Sequence, residues 1–262
     1  MNILVCVKQV PGTSQVEVDP VTGVLKRDGV ASKLNPYDLY ALETAMTLHE
    51  QHGGTVRTVT MGPMQAKAAI LETVYMGAQG GLLVSDRKFA GADVLATSYT
   101  LSQAVNSMGD FDLLLCGKQT TDGDTAQVGA EMAEFLGIPH ANNVLSIVEV
   151  QDGRVTVRVN LESHIATQSM PMPCLLCMDG DINTPRLPSY KRKKELQGDP
   201  VAVISLADFA DRDERHYGLS GSPTQVERIF PPEKNNSKEM LCGSNQEKAD
   251  ALADILHQRK FI

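Results

Sequence analysis

Tryptophan is missing from this sequence, and aromatic side chains of any kind make up only 5% of its 262 residues. The core therefore has to come from aliphatic side chains and from the 11 methionines, whose flexible thioethers fill irregular gaps. An excess of positive charge is also missing. The formal net charge is −8, which argues against nucleic acid as the main partner. No apolar run approaches the ~20 residues that a membrane helix needs, so membrane insertion is not expected. The opening "MNILVCVK" has a short apolar run but neither a basic lead-in nor a cleavage site. A signal peptide is therefore not expected, and the prediction is a cytoplasmic protein.

Cysteine is scarce and unpaired in pattern. The five are Cys6, Cys116, Cys174, Cys177 and Cys242, an odd count whose spacing does not suggest a disulfide framework. "CLLC" at 174–177 matches C-x-x-C, but its surroundings read as an apolar strand. Positions i and i+3 of a strand face opposite ways, so these thiols are expected to diverge as ordinary buried cysteines. The six histidines form no ligand set, and His49 and His52 fall at the tail of a predicted helix. Also absent are G-x-G-x-x-G after the first strand, G-x-x-x-x-G-K-[ST], H-E-x-x-H and G-x-S-x-G. No hydrolytic set can be assigned, and no metal site is expected.

What the chain does have is alternation. "NILVCV" is a continuous apolar run, the pattern of a strand buried on both faces. After a hairpin-like excursion around Asp19-Pro20 and Thr22-Gly23, "NPYDLYALETAMTLHEQHGG" reads as a helix. Asn35 is placed to cap it, Pro36 lies in its first turn, and Gly53-Gly54 stops it. Strand-like "TVRTVTM", "GLLVSD" and "FDLLLCG" are each followed by a helical pattern, at steps of roughly 30 residues, which marks stacked βαβ units with a parallel sheet. After Pro139, "NNVLSIVEV", "RVTVRVNLES" and "PCLLCMD" are expected to add antiparallel strands. The prediction is an α/β fold with a mostly parallel, doubly wound sheet over residues 1–184. Residues 185–262 are read as a C-terminal arm, too poor in periodic apolar sequence to close a core of their own.

Ligands of open parallel sheets bind outside the carboxyl ends of the strands. Four such ends stand out: "CVKQVP", "TMGP", "VSDRKFAGAD" and "CGKQTTDGDTAQ". The last opens a helix, whose free N–H groups and partial positive charge suit a phosphate. Its two aspartates, Asp122 and Asp124, would repel one. They are expected to cap the helix with their carboxylates turned from the ligand, while Gly123 lets the backbone approach and Thr125 and Gln127 face it. From the residues alone, a plain capping turn and a nucleotide loop both remain open. "KRKK" at 191–194, the densest basic run, likewise reads as a solvated flank or as a seat for an acidic partner.

"VKQVP" at 7–11, "DPVTGVLKRDGVASKLNPYDLYALETA" at 19–45, "GKQTTDGDTAQVG" at 117–129 and "MPMPCLLCMDGDINTPRLPSY" at 170–190 resemble the beta subunit of electron transfer flavoproteins. The resemblance covers nearly the whole chain. It implies an adenine-nucleotide-binding, Rossmann-like fold that pairs with a larger alpha subunit, around which the arm wraps. It carries nucleotide contacts onto Cys6, Asn35, Pro36, Tyr37, Asp38 and Met61, and onto the loop of Asp122, Gly123, Asp124, Thr125, Ala126, Gln127 and Val128. A docking loop for partner dehydrogenases falls on Pro185, Leu187, Pro188 and Tyr190, with Leu187 as its apolar anchor.

"DGDTAQVG" and "SDRKFAGADVLATS" at 85–98 are similar to the electron-bifurcating members, which bind FAD where housekeeping members bind AMP. In that type NADH gives a hydride to the beta-site FAD. One electron goes to ferredoxin, and the other crosses the alpha-subunit FAD to an acyl-CoA-type or hydroxy-acid dehydrogenase. Phe89, Ala90, Gly91, Asp93 and Thr97 are the candidates for NADH or flavin-ring contacts. No catalytic acid or base is implied within this chain, which would not be catalytic alone. The alternatives are an AMP-binding structural subunit of a non-bifurcating flavoprotein and, further off, an ATP-binding module of the stress-protein kind.

Overall fold

The apolar run Asn2–Cys6 forms β1 at the centre of the sheet, with Ile3 and Val5 facing one way and Leu4 the other, all fully buried. The computed structural model describes residues 1–12, 32–180, 182–227 and 238–262. The hairpin-like excursion expected around Asp19 to Gly23, and Asp181, lie outside the described residues. Two units can be distinguished, Met1–Glu227 and Arg228–Ile262.

In the first unit, β2 (Gln9–Pro11) and β3 (Ser32–Leu34) make a short antiparallel ribbon that leads into α1 (Pro36–His52). Then follow β4 (Thr55–Met61), α2 (Lys67–Met76), β5 (Gly81–Val84), α3 (Val94–Ser107), β6 (Leu113–Gly117) and α4 (Val128–Leu136). The remaining elements are β7 (His140–Gln151), β8 (Arg154–Asn160), β9 (Ile165–Pro171), β10 (Cys174–Met178), α5 (Tyr190–Glu195) and β11 (Val201–Ile204). Among the described residues the main sheet has nine strands in the order β11-β5-β4-β1-β6-β10-β7-β8-β9. The first seven run parallel, and β8 and β9 are antiparallel additions.

Helices cover both faces of the parallel part. Ile3, Val5, Leu113, Leu115 and Leu176 pack with Ala41, Leu42 and Ala45 of α1 and with Ala69 of α2. Leu4, Leu114 and Leu175 pack with Leu101 and Ala104 of α3 and Met132 and Ala133 of α4. This is the expected doubly wound α/β fold. Cys174 and Cys177 fall in different layers, as a strand spacing of three requires.

One expectation is corrected. "PCLLCMD" does not extend the sheet antiparallel; as β10 it lies parallel between β6 and β7. Every residue from Cys174 to Met178 is buried, and an apolar strand without alternation satisfies both faces of an interior parallel position. "NNVLSIVEV", as β7, is likewise parallel to β10 and antiparallel only to β8. The antiparallel pairings are β7 with β8 and β8 with β9, and "IATQSMP" in β9 alternates between exposed residues and half-buried or buried ones.

The sequence pattern predicts an arm from residue 185. In the structure, β11 pairs with β5, and Phe209 and Tyr217 are almost wholly buried. The compact unit thus continues to Glu227. The second unit contains α6 (Asn245–Gln258), begun by a capping box in which Ser244 and Glu247 satisfy each other's backbone amides.

Candidate functional site

From β1 the chain steps outward to β4 and β5, then returns to place β6 on the other side of β1. The crevice between the carboxyl ends of β1 and β6 is therefore the switch point of the sheet, where open α/β folds hold ligands. Lys8 follows β1 here, and Gly117–Val128 follows β6.

Lys8 is fixed by its backbone. Its N–H donates to Asp38 Oδ2 at 2.7 Å, and its carbonyl accepts from the Asn35 amide at 2.9 Å. Asn35 is wholly buried. It occupies the cap position of α1 but makes no side-chain cap bond. Its Nδ2 donates to Asp38 Oδ1 (2.8 Å) and to the Gln119 carbonyl (2.9 Å), and its Oδ1 accepts from the Thr121 amide (3.2 Å). One amide side chain thus pins the start of the β6 loop to the start of α1. Burial pushes the Asp38 carboxyl up to about 7, against the bonds from Asn35 and Lys8 that favour its charge. Gly117 is required where β6 passes α1: a Cβ there would lie about 2.6 Å from the Tyr37 carbonyl carbon and 2.8 Å from the Asp38 amide.

The loop beyond is exposed from Thr121 to Gln127. Asp124 and Ala126 take left-handed backbone conformations, φ 53° and 56°, each at a cost of about 1–2 kcal/mol for a residue with a Cβ. The expected capping role of the aspartates is corrected. The cap position of α4 is Gln127, and no side chain caps it. Asp122 Oδ1 instead accepts from Lys8 Nζ at 2.8 Å. Burial raises the Asp122 carboxyl, but the bond and charge of Lys8 prevail and hold it below the usual carboxylate range. Asp124 Oδ1 accepts from Gln119 Nε2. The physical reason is distance along the chain: both aspartates precede the cap position Gln127 by at least three residues, with left-handed backbone at Asp124 and Ala126 just ahead of it.

The structure therefore presents the start of α4 without a capping side chain, beside a loop whose acidic groups are engaged elsewhere. Unsatisfied helix-start amides bind anions through both hydrogen bonds and the helix dipole. The donor set suits an anionic group such as a phosphate. Thr125, Ala126 and Gln127 are exposed ahead of the helix and Val128 begins it. Cys6 and Met61, both half-buried, end the neighbouring strands β1 and β4 on the same edge of the sheet. Behind Cys6 lie the buried thiols of Cys116 and Cys177, paired in register on β6 and β10. Gly129 packs so closely over Cys177 that a Cβ would overlap its sulfur.

The candidates after β5 are placed differently. Phe89 is buried, with its ring 5.6 Å from those of Phe209 and Tyr217, so it faces the protein core and is not available as a flavin-ring contact. Asp93 caps α3 through the Ala96 amide and also accepts from the Thr224 amide and hydroxyl. Gly91 approaches Leu219, and Ala90 accepts from the Leu219 amide. The Thr97 amide is bonded to the Asp93 carbonyl. This loop is stitched to residues 204–224 rather than turned to the β1–β6 crevice.

Pro185 to Tyr190 form a ridge in which Leu187, Pro188 and Tyr190 are exposed. Leu187 is 86% exposed and Tyr190 71%. The ridge is tied down at both ends: Arg186 grips Glu43 of α1 through three donors at 2.9 Å and reaches Glu50 at 2.7 Å, while the Ser189 amide donates to the Tyr75 carbonyl at 2.9 Å. Pro188 stands between these ties. Lys8, Gln119, Glu43 and Arg186 were missed by sequence reasoning. Only "VKQ" and "GKQ", each ending a strand with a basic–amide pair, hinted at the first two.

Residues 22–207 match the Electron transfer flavoprotein domain. Over its full length the chain is 40% identical to the electron transfer flavoprotein subunit beta of Thermoanaerobacterium thermosaccharolyticum, covering all of both chains. It is 39% identical to a subunit of the caffeyl-CoA reductase-Etf complex, CarD, of Acetobacterium woodii, again covering all of both. It is also 39% identical to the protein FixA of Azorhizobium caulinodans, covering 99% of this chain and 95% of that one.

Proposed function

The chain belongs to the electron transfer flavoprotein family, and from that premise we propose that it is the beta subunit of a bifurcating electron carrier, holding the adenine-nucleotide part of a FAD in the β1–β6 crevice. The observation that carries this reading is the uncapped start of α4 at the switch point, with Asp122 and Asp124 both drawn aside. FAD held there would supply the ability to take an electron pair from NADH and to release the two electrons singly, toward ferredoxin and toward the FAD of the alpha subunit. The protein's own contribution is positioning. The Thr125–Val128 amides would grip the phosphates, Asn35 would hold the loop to α1, and Cys6 and Met61 would floor the site. No side chain of this chain has to move a proton.

The similarity to a protein of the caffeyl-CoA reductase-Etf complex supports an acyl-CoA-type flavin dehydrogenase as the docked partner, reached through the Leu187 ridge. The C-terminal arm would wrap the alpha subunit. Purifying the alpha–beta pair and reading its visible spectrum tests the assignment: two flavins per pair are expected. One flavin with one AMP would replace it by the structural-subunit reading. Reduction of both flavins by NADH, with ferredoxin reduced only when a dehydrogenase is present, would establish the electron path.

A further inference from the structure

Two lysines stand at the crevice, and they are held in different ways. Lys118 Nζ lies 3.3 Å from Asp179 and its amide bonds to the Met178 carbonyl, so it belongs to the β10 side. Lys8 stands on the switch-point side. Its backbone cannot shift, because Asp38 takes its N–H and the Asn35 amide takes its carbonyl. Its side chain, 44% exposed, is tethered by a single bond to Asp122, which is 33% exposed and sits at the first turn of the loop. A solvent-accessible ion pair of this kind is worth little by itself. A nucleotide diphosphate carries at least two negative charges against the carboxylate's one and offers more acceptor oxygens, so it competes well for one ammonium group.

We propose that Lys8 is a phosphate-sensing ligand of the site: Asp122 parks its ammonium group across the loop mouth, and an arriving nucleotide phosphate takes it over. The exchange is neutral in count, one carboxylate partner replaced by one phosphate partner, and leaves Asp122 to solvent. It follows that Asp122 is a competitor of the ligand rather than a contact, and that Lys8 reads phosphate charge rather than the adenine ring. This rests on the nucleotide reading given above and adds a residue and a selectivity to it.

The test is equilibrium binding of adenosine, AMP and ADP to the purified alpha–beta pair freed of bound nucleotide, measured by calorimetry. Lys8→Gln is expected to weaken AMP and ADP by about 10- to 100-fold, the loss of one charge-assisted hydrogen bond, and to change adenosine less than about twofold. Lys8→Arg keeps the charge and should stay within a few-fold of the unsubstituted pair. Asp122→Asn should tighten AMP and ADP, by roughly two- to fivefold, because the competitor is gone. The double variant should match Lys8→Gln alone.

A structural latch behaves otherwise: both single variants would weaken all three ligands alike, adenosine included, and that result overturns the inference. So does unchanged ADP affinity in Lys8→Gln while the unsubstituted pair binds normally. If the unsubstituted pair binds neither AMP nor ADP, the nucleotide reading itself falls, a failure distinct from the first two.

Discussion

The carboxyl edge of the sheet is closed in two different ways within one unit. Outside β5 and β11 the mouth is filled. Phe89, Phe209 and Tyr217 pack ring to ring, Tyr99 joins them, and Asp211 accepts from the Tyr99 hydroxyl at 2.6 Å while its carbonyl accepts from Tyr217 at 2.7 Å. Outside β1 and β6 the mouth is spanned by polar side chains and an exposed loop. A sequence with so few aromatics spends five of its twelve on the first mouth, if Phe135 against Tyr99 is included. Apolar packing closes a crevice permanently, whereas hydrogen bonds shape one and leave it wet. Only the second can admit a charged ligand.

The sharpest way to separate the two mouths is to empty the filled one. Tyr217→Ala removes a buried ring and its hydrogen bond, and a loss of about 3–5 kcal/mol in unfolding free energy is expected, read from denaturant midpoints. Nucleotide affinity of the surviving folded protein should not change, since Tyr217 makes no contact in the β1–β6 crevice. Loss of both together would show that the two mouths are one cooperative structure.

The polar mouth is broken at Asn35. Asn35→Ala strands the Thr121 amide, the Gln119 carbonyl and part of Asp38, and should cost about 2–3 kcal/mol while loosening the loop. Here stability and nucleotide affinity should fall together. Asp38 adds a pH dependence. Its carboxyl titrates near 7 in the folded protein, above the ordinary value of about 3.9 in the unfolded chain. The folded state therefore binds more protons between these values, and stability falls as pH rises from about 4 to 7. Asp38→Asn should flatten that slope in a series of denaturant titrations across the range; an unchanged slope would mean another group carries it.

Most of the parallel sheet could be read from strand-like runs such as "NILVC" and "DLLLC", because a strand buried on both faces leaves an unbroken apolar signal. β10 was visible as a strand but not its direction, since parallel and antiparallel neighbours depend on where the β8–β9 hairpin returns the chain. β11, Phe209 and Tyr217 were hidden. Short strands, brief 3-10 turns and single aromatics carry no period, so residues 201–222 look irregular. At the site, the Gly123 loop announced itself by turn chemistry. The bonds that shape it did not: Asn35 to Gln119 spans 84 residues and Lys8 to Asp122 spans 114, and nothing local encodes such partners.

The Arg186 tie lies between the two kinds of mouth, being polar yet nearly dry on one side. Glu43 is 8% exposed. Burial raises its carboxyl, but the Arg186 bonds prevail and hold it below the usual range. Its stabilisation is thus present above the unfolded glutamate value of about 4.3 and is lost as pH falls through the lower folded value. Glu43→Gln should cost about 1–2 kcal/mol, since Glu50 still holds one Arg186 donor. It should also speed tryptic cleavage between Arg186 and Lys194, a readout that leaves nucleotide affinity as the unaffected control.

The smallest effect belongs to the basic run. Lys193 Nζ lies 5.8 Å from the centre of the Tyr75 ring and Lys194 Nζ 5.0 Å from that of Tyr190, and none of α5 is buried. Such exposed cation–ring contacts are worth about 0.5–1 kcal/mol each at most. Replacing Lys191, Arg192, Lys193 and Lys194 by Ser should leave the melting temperature nearly unchanged and nucleotide content unaltered. If the Leu187 ridge is the docking site proposed above, what it should slow, more at low salt than at high, is electron delivery to a flavin dehydrogenase. If delivery is the same at both ionic strengths, the run is a solvated flank, and the ridge works through its apolar residues alone.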